Sequence, residues 1–303
     1  MTETLSPARS SSSGAAVVPG HHLRFFQQIR AEWIKVRSVR STWICIALIV
    51  LVSVGLSVLI SIVTAHAWPG AGNSQDRLQY DPVRTAQAGV LVAQFIVGVF
   101  GVLAISAEYS SGLIRTTLMS ASHRVSVLTA KVVVLAGVLL CVGEVTAVIS
   151  SFVSRAVLLA NGGVAVATDS PALQATSKMI PVLSLSNGSV LRATLLVGVY
   201  VTLLGICALG LGFLLRSTAG SISIFAGVLL VLPIVTAILP QSVTSSFSAY
   251  LPNNLGSAML VVTLHHNAYG GSFLAPYTAV AVLGLYTAIL LGLGAWRLIR
   301  ADA

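Results

Sequence analysis

The residues that could do chemistry are few, since only 8% of the 303 residues are charged. Four of the charges fall in one stretch, Gly98 to Lys131. It reads GVFGVLAISAEYSSGLIRTTLMSASHRVSVLTAK: an apolar run meets Glu108, turns at Gly112, and re-enters an apolar run past Arg115, Arg124 and Lys131. A charge at the centre of a bilayer costs about 2.5–3.5 kcal/mol on insertion scales, so this pattern describes a polar hairpin at a membrane surface. Glu108 is expected at the water boundary, its depth set by the runs on either side. Glu144 is the only carboxylate well inside an apolar run. Counted from the start of that run near Ser126, it lies about 27 Å along a helix, near the far surface. That depth favours a satisfied or water-facing acid over a proton or substrate site.

Other chemistry is missing. His21, His22, His66, His123, His265 and His266 are all expected in loops, and neither HH pair has Cys, Asp or Glu at ligand spacing. Cys45, Cys141 and Cys207 each stand alone in an apolar run, which suits packing and neither a disulfide framework nor a metal site. No G-x-x-x-x-G-K-[ST] loop is present, so ATP-driven work would need a partner chain. We therefore assign no catalytic, cofactor-binding or metal residue. The net charge of +9 does not point to nucleic acid, because the Lys and Arg residues sit beside the ends of hydrophobic runs.

The elements that must position Glu108 follow from composition. The chain is 56% hydrophobic with a mean hydropathy of +0.93, which marks an integral membrane protein. Residues 1–20 are rich in Ser, Ala and Pro and read as a disordered cytoplasmic tail. Residues 21–42 read as an amphipathic helix in the membrane interface. Over Leu23 to Arg40, Phe25, Phe26, Ile29, Trp33 and Val36 share one arc, and Arg24, Gln27, Lys35 and Ser38 another.

Residues 43–303 read as a six-span domain, giving an all-α membrane protein. The spans are expected at Trp43–Ala65, Ala86–Ala107, about Ser126–Val153, Arg192–Leu215, Ala219–Leu239 and about Pro276–Trp296. Ser53, Ser57 and Ser61 repeat every fourth residue on the first span. They suit a close helix contact better than a polar path, though both readings stay open. Pro233 should bend the fifth span. Gly284, Ala288 and Gly292 form a small-residue ridge on the sixth. The apolar piece Ala258 to Leu264 is too short to cross and should dip partly into the outer leaflet. Basic residues collect on the side holding both termini, which should be cytoplasmic.

Four segments resemble ABC-2 type transporter permeases of actinobacteria: AEWIKVRSVRSTW (Ala31 to Trp43), AEYSSGLIRTTLMSASHR (Ala107 to Arg124), LRSTAGSISIFAGVLLVLP (Leu215 to Pro233) and YLPNNLGSAML (Tyr250 to Leu260). The resemblance implies a bacterial plasma-membrane exporter subunit. It would pair with a second copy or a related permease and bind two cytosolic ATP-binding subunits that hold the ATP and Mg. It further implies an interfacial helix carrying Glu32, Trp33, Lys35 and Arg37, and half-buried helices over Tyr250 to Leu264. The coupling helix to the ATPase would run from about Tyr109 to Ser122, with Glu108 at its elbow and Tyr109, Gly112 and Arg115 along it. Leu113 departs from the Thr common at that position. A stand-alone secondary transporter or channel, using Glu144, and a membrane accessory or sensor protein are the competing readings.

The charge asymmetry generates the first test. Cysteines placed at positions 1, 115 and 303 should be shielded from an impermeant thiol reagent added to whole cells, while positions 76, 178 and 267 should react. Labelling at 115 without labelling at 178 would reverse the orientation.

Overall fold

The computed structural model describes residues 25–68, 80–110, 124–166, 180–183, 187–244, 247–262 and 274–300. The tail 1–20 and the segment carrying Gly112 and Arg115 lie outside these residues. A helix Phe25–Ser38 comes first. Six helices long and apolar enough to cross a membrane follow. They are span 1 (Arg40–Ala67), span 2 (Val90–Ser110), span 3 (Arg124–Ala160), span 4 (Gly188–Leu215), span 5 (Thr218–Ile238) and span 6 (Pro276–Arg300).

The boundaries differ from the sequence reading where local chemistry intervenes. Span 1 continues through His66, placed in a loop by sequence, because no breaker occurs before Pro69. His66 lies in its last turn, with Nδ1 2.9 Å from the Ile62 carbonyl. Span 2 does not begin at Ala86. Asp81 caps a separate short helix, Pro82–Ala86, by accepting from the Val83 and Arg84 amides, and Pro82 suits a first helical turn. Gln87 then leaves the helical path, its side-chain amide donating to the Ala147 carbonyl and the Ser151 hydroxyl, both at 2.9 Å. Gly89 follows with its Cα against the Ser53 backbone, where a Cβ would overlap.

Span 3 runs to Ala160, so Arg155 is helical and not the start of a loop. Its extra length places Glu144 mid-helix, about 24 Å from the far end, while its distance from the start stays about 27–30 Å. Span 4 likewise starts before Arg192, capped by Asn187. Two three-residue strands, Val164–Val166 and Pro181–Leu183, pair in parallel between spans 3 and 4.

Span 4 is the axis of the bundle. Of its most apolar window 78% is buried, against 17–22% for spans 1, 5 and 6. Spans 2, 3 and 6 pack on it, and span 1 packs on spans 2 and 3. Small residues set the approach. A Cβ on Gly143 would lie 2.9 Å from the Gly198 Cα across spans 3 and 4, and one on Gly101 would overlap the Gly205 carbonyl across spans 2 and 4. The serine repeat of span 1 is a helix contact, with Ser53, Ser57 and Ser61 all buried. Ser57 donates to the Ser150 carbonyl at 3.3 Å, and the Ser61 and Ser154 hydroxyls meet at 2.7 Å. Both hydroxyls face span 3. By contrast, nothing lies within 4 Å of a Cβ at Gly284 or Gly292, so the span 6 ridge packs on no other part of the described chain. Pro233 is half-buried on a span that buries only Ser221, Phe225 and Leu229.

Close packing at Gly101 predicts a position-specific penalty. Gly101→Ala should destabilise the detergent-solubilised protein by about 1–3 kcal/mol through overpacking. Gly137→Ala, where nothing lies within 4 Å of the added Cβ, should be neutral or stabilising in the same thermal unfolding assay. Equal effects of the two would remove the packing argument.

Candidate functional site

The helix Phe25–Ser38 turns its polar seam inward. Gln28 and Glu32 are buried, while Phe26, Trp33 and Ile34 are exposed. Gln28, Glu32 and Lys35 follow one another at i, i+4 and i+7, so they share a face, and that face packs on span 3. Phe25, Phe26 and Trp33 of the arc picked out by the sequence therefore point away from the protein, whereas Val36 of the same arc packs on the core.

Four charges meet under this seam. The Lys131 ammonium on span 3 donates to Glu32 Oε2 at 2.6 Å, to Glu108 Oε1 at 2.9 Å and to the Ala104 carbonyl at 3.1 Å. Lys35 donates to Glu32 Oε1 at 2.7 Å and to the same Glu108 Oε1 at 2.9 Å. Glu32, Glu108 and Lys131 are buried, and the Lys35 side chain is 39% exposed. Two carboxylates and two ammonium groups balance. Each is an expensive group to bury alone, worth several kcal/mol after relaxation, and each finds its counter-charge at hydrogen-bonding distance. The Ala104 carbonyl lies in the last turns of span 2, where the helix dipole also favours a cation. For Lys35, burial opposes the charged form, but the hydrogen bonds and charges of Glu32 and Glu108 outweigh it and hold its pKa above the usual lysine value.

Glu108 keeps to the margin of an apolar run, away from mid-span. It is buried in protein at the end of span 2, and its low cost comes from lysines of its own chain. The neighbouring Tyr109 carries the Arg216 guanidinium 5.5 Å above its ring. Arg216 closes span 4 in the left-handed region, with φ of 53°. The ends of spans 2 and 4 are so joined. Arg37 contributes its carbonyl, which accepts from Trp43 Nε1 at 3.0 Å and fixes the turn into span 1.

Among the described residues, the other predicted positions do not join this cluster. Glu144 lies half-buried on span 3 with its carboxylate against Gly198. Ser53, Ser57 and Pro233 are in the helix contacts described above. Sequence reasoning missed two features. It left Lys131 as one more hairpin charge, although Lys131 bonds both acids. It also missed the polar network at the opposite end, where Tyr200 donates to Gln94 Oε1 at 2.6 Å and Gln94 donates to Asn253 Oδ1 at 2.9 Å. A Gln on span 2 and a Tyr on span 4 are single polar residues in apolar runs, and that was the available signal. Among the described residues, no group of three or more His, Cys, Asp or Glu side chains gathers as a metal site would require.

Residues 28–175 match the family model described as ABC-2 family transporter protein, a stretch that contains every member of the four-charge cluster. The match covers just under half of the chain. Neither the curated proteins nor the solved structures give a match. An ABC-2 membrane component is typically a non-catalytic permease, which implies an ATP-binding partner. The match runs from the N-terminal helix through spans 1 to 3 and so takes in the three helices that the charges hold together.

Balance within the cluster predicts strong coupling between its members. Lys131→Met should destabilise the protein by about 3–5 kcal/mol, because it strands buried carboxylates. Lys35→Met should lose less, given its exposure. Adding Glu32→Gln to Lys131→Met should recover part of the loss in a double-mutant cycle of thermal unfolding. Strict additivity would mean that the charges do not act together.

Proposed function

We propose that the chain is the permease subunit of an ATP-driven exporter, which forms a translocation path with a second permease copy or a related chain and couples to a separate cytosolic ATP-binding subunit. The observation that carries this is the bonding of both roots of the segment 111–123, Glu108 on span 2 and Lys131 on span 3, to the N-terminal helix through Glu32 and Lys35. A partner pushing on that segment would move three helices as one body, because parting them would strand buried charges. A flexible connection would absorb the push. On this reading the cluster end faces the cytoplasm together with both termini, the N-terminal helix lies in the membrane interface, and Gly112 and Arg115 sit on the docking segment. The chain itself binds no ATP or Mg.

The mid-helix position of Glu144 gives the secondary-transporter reading its one point of support. Energy dependence separates the two. The purified chain should show no ATPase activity, and hydrolysis should appear only with the partner subunit.

In the reconstituted complex, Glu108→Gln should keep assembly yet lose most substrate-stimulated hydrolysis, and Arg115→Ala should weaken partner binding. Full export by Glu108→Gln at normal expression would remove the carboxylate from the coupling path. Export driven by an ion gradient, without an ATPase partner, would favour the Glu144 reading.

A further inference from the structure

Between the N-terminal helix and spans 1, 2 and 3 lies a cavity of about 240 Å³. Its two ends differ in chemistry. One carries the four-charge cluster; the other is walled by Phe100 and Leu103, one to two turns before Glu108 on span 2, and by Val134 and Leu135, one turn past Lys131 on span 3. A cavity charged at one end and apolar at the other fits an amphiphile.

The sign of the head group follows from the hydrogen bonds. Lys131 spends its three donors on Glu32, Glu108 and the Ala104 carbonyl, and both oxygens of Glu32 accept from lysines. Lys35 spends two of its three donors, on Glu32 and Glu108, and is the partly exposed member. The group offered to a ligand is thus an ammonium N–H, which calls for an anionic acceptor. The surroundings agree. From Phe25 to Arg40 the chain carries Arg30, Lys35, Arg37 and Arg40 against the single acid Glu32. Basic residues beside a membrane attract anionic lipids by about 1 kcal/mol each.

Depth follows from the aromatic residues. Trp33 and Trp43 are 50% and 57% exposed on the elements that frame the cavity, and tryptophans so placed sit at head-group level. The charged end therefore lies among head groups, and the apolar wall extends toward the hydrocarbon. A volume below the roughly 300–1,000 Å³ of a drug-sized pocket takes in part of one acyl chain and leaves no room for a second.

We propose that this cavity binds a single anionic phospholipid of the adjacent leaflet, its phosphate on Lys35 and one acyl chain along Phe100, Leu103 and Val134. The proposal stands independently of the transport reading, since it concerns occupancy of the isolated chain.

The test is photolabelling of the purified full chain in phosphatidylcholine vesicles. The probe is phosphatidylglycerol or phosphatidylcholine carrying the same acyl-chain diazirine, with labelled residues mapped by mass spectrometry. The phosphatidylglycerol probe should label Phe100, Leu103 and Val134 at least fivefold more than the phosphatidylcholine probe, and unlabelled phosphatidylglycerol should compete. Ala104→Phe, which fills the cavity, should abolish the excess while leaving labelling of the exposed Leu51 and Val63 unchanged. Ala107→Leu serves as the second cavity-filling variant if the first does not fold. Lys35→Gln should equalise the two probes. Equal labelling by both head groups in the native chain would reduce the site to an apolar crevice and overturn the proposal. So would labelling no higher than at Leu51, or an excess that survives filling of the cavity.

Discussion

Burial of charge in a membrane protein is tolerable only with a counter-charge in place, and that constraint organises one end of this molecule. Glu32, Lys35, Glu108 and Lys131 come from three helices far apart in sequence and form a neutral set held by bonds of 2.6–2.9 Å. None can leave without exposing the others to an apolar surround. The N-terminal helix is consequently docked by its polar seam, and Phe25, Phe26 and Trp33 are left exposed.

The opposite end is pinned by neutral polar groups. Gln94 on span 2, Tyr200 on span 4 and Asn253 on the short helix Pro252–Leu260 form a chain of hydrogen bonds, which Asn253 extends to the Leu229 carbonyl on span 5 at 3.1 Å. Asp81 reaches the same region by accepting from the Val262 amide at 3.2 Å, and Arg192 donates to the Val261 carbonyl at 3.1 Å. Between these two polar ends, the contacts of span 4 with spans 2 and 3 depend on glycines such as Gly101, Gly143, Gly198 and Gly205. Charge fixes one end, hydrogen bonds fix the other, and small residues let the middle close.

This division distributes freedom unequally. Span 4 is enclosed, whereas spans 5 and 6 turn most of their apolar surface outward, including Leu230, Val231, Ile234, Leu285 and Ile289. In a bilayer such surface carries no penalty, because lipid tails are as apolar as the side chains. A protein that must move within the membrane can keep its rigid polar joints at the ends while its outer helices slide against lipid.

Much of the architecture was legible in the sequence, because spans announce themselves locally: about 20 apolar residues without charge can satisfy their backbone only as a helix. The six spans, the polar stretch between spans 2 and 3, the serine contact on span 1 and the short helix before span 6 all rest on such local rules. Glu108 was likewise conspicuous as an acid at the end of an apolar run. Its partners were not. Lys131 lies 23 residues from Glu108 and 99 from Glu32. No local periodicity relates these positions, which meet only because spans 2 and 3 return to the same end and the N-terminal helix lies across them. The direction in which that helix faces was also undecided, since an amphipathic pattern states that two faces differ and not which one meets protein. Tertiary structure decided it, because bringing the two lysines to Glu32 and Glu108 compensates buried charge, and turning the aromatic face inward would have left that charge unpaired.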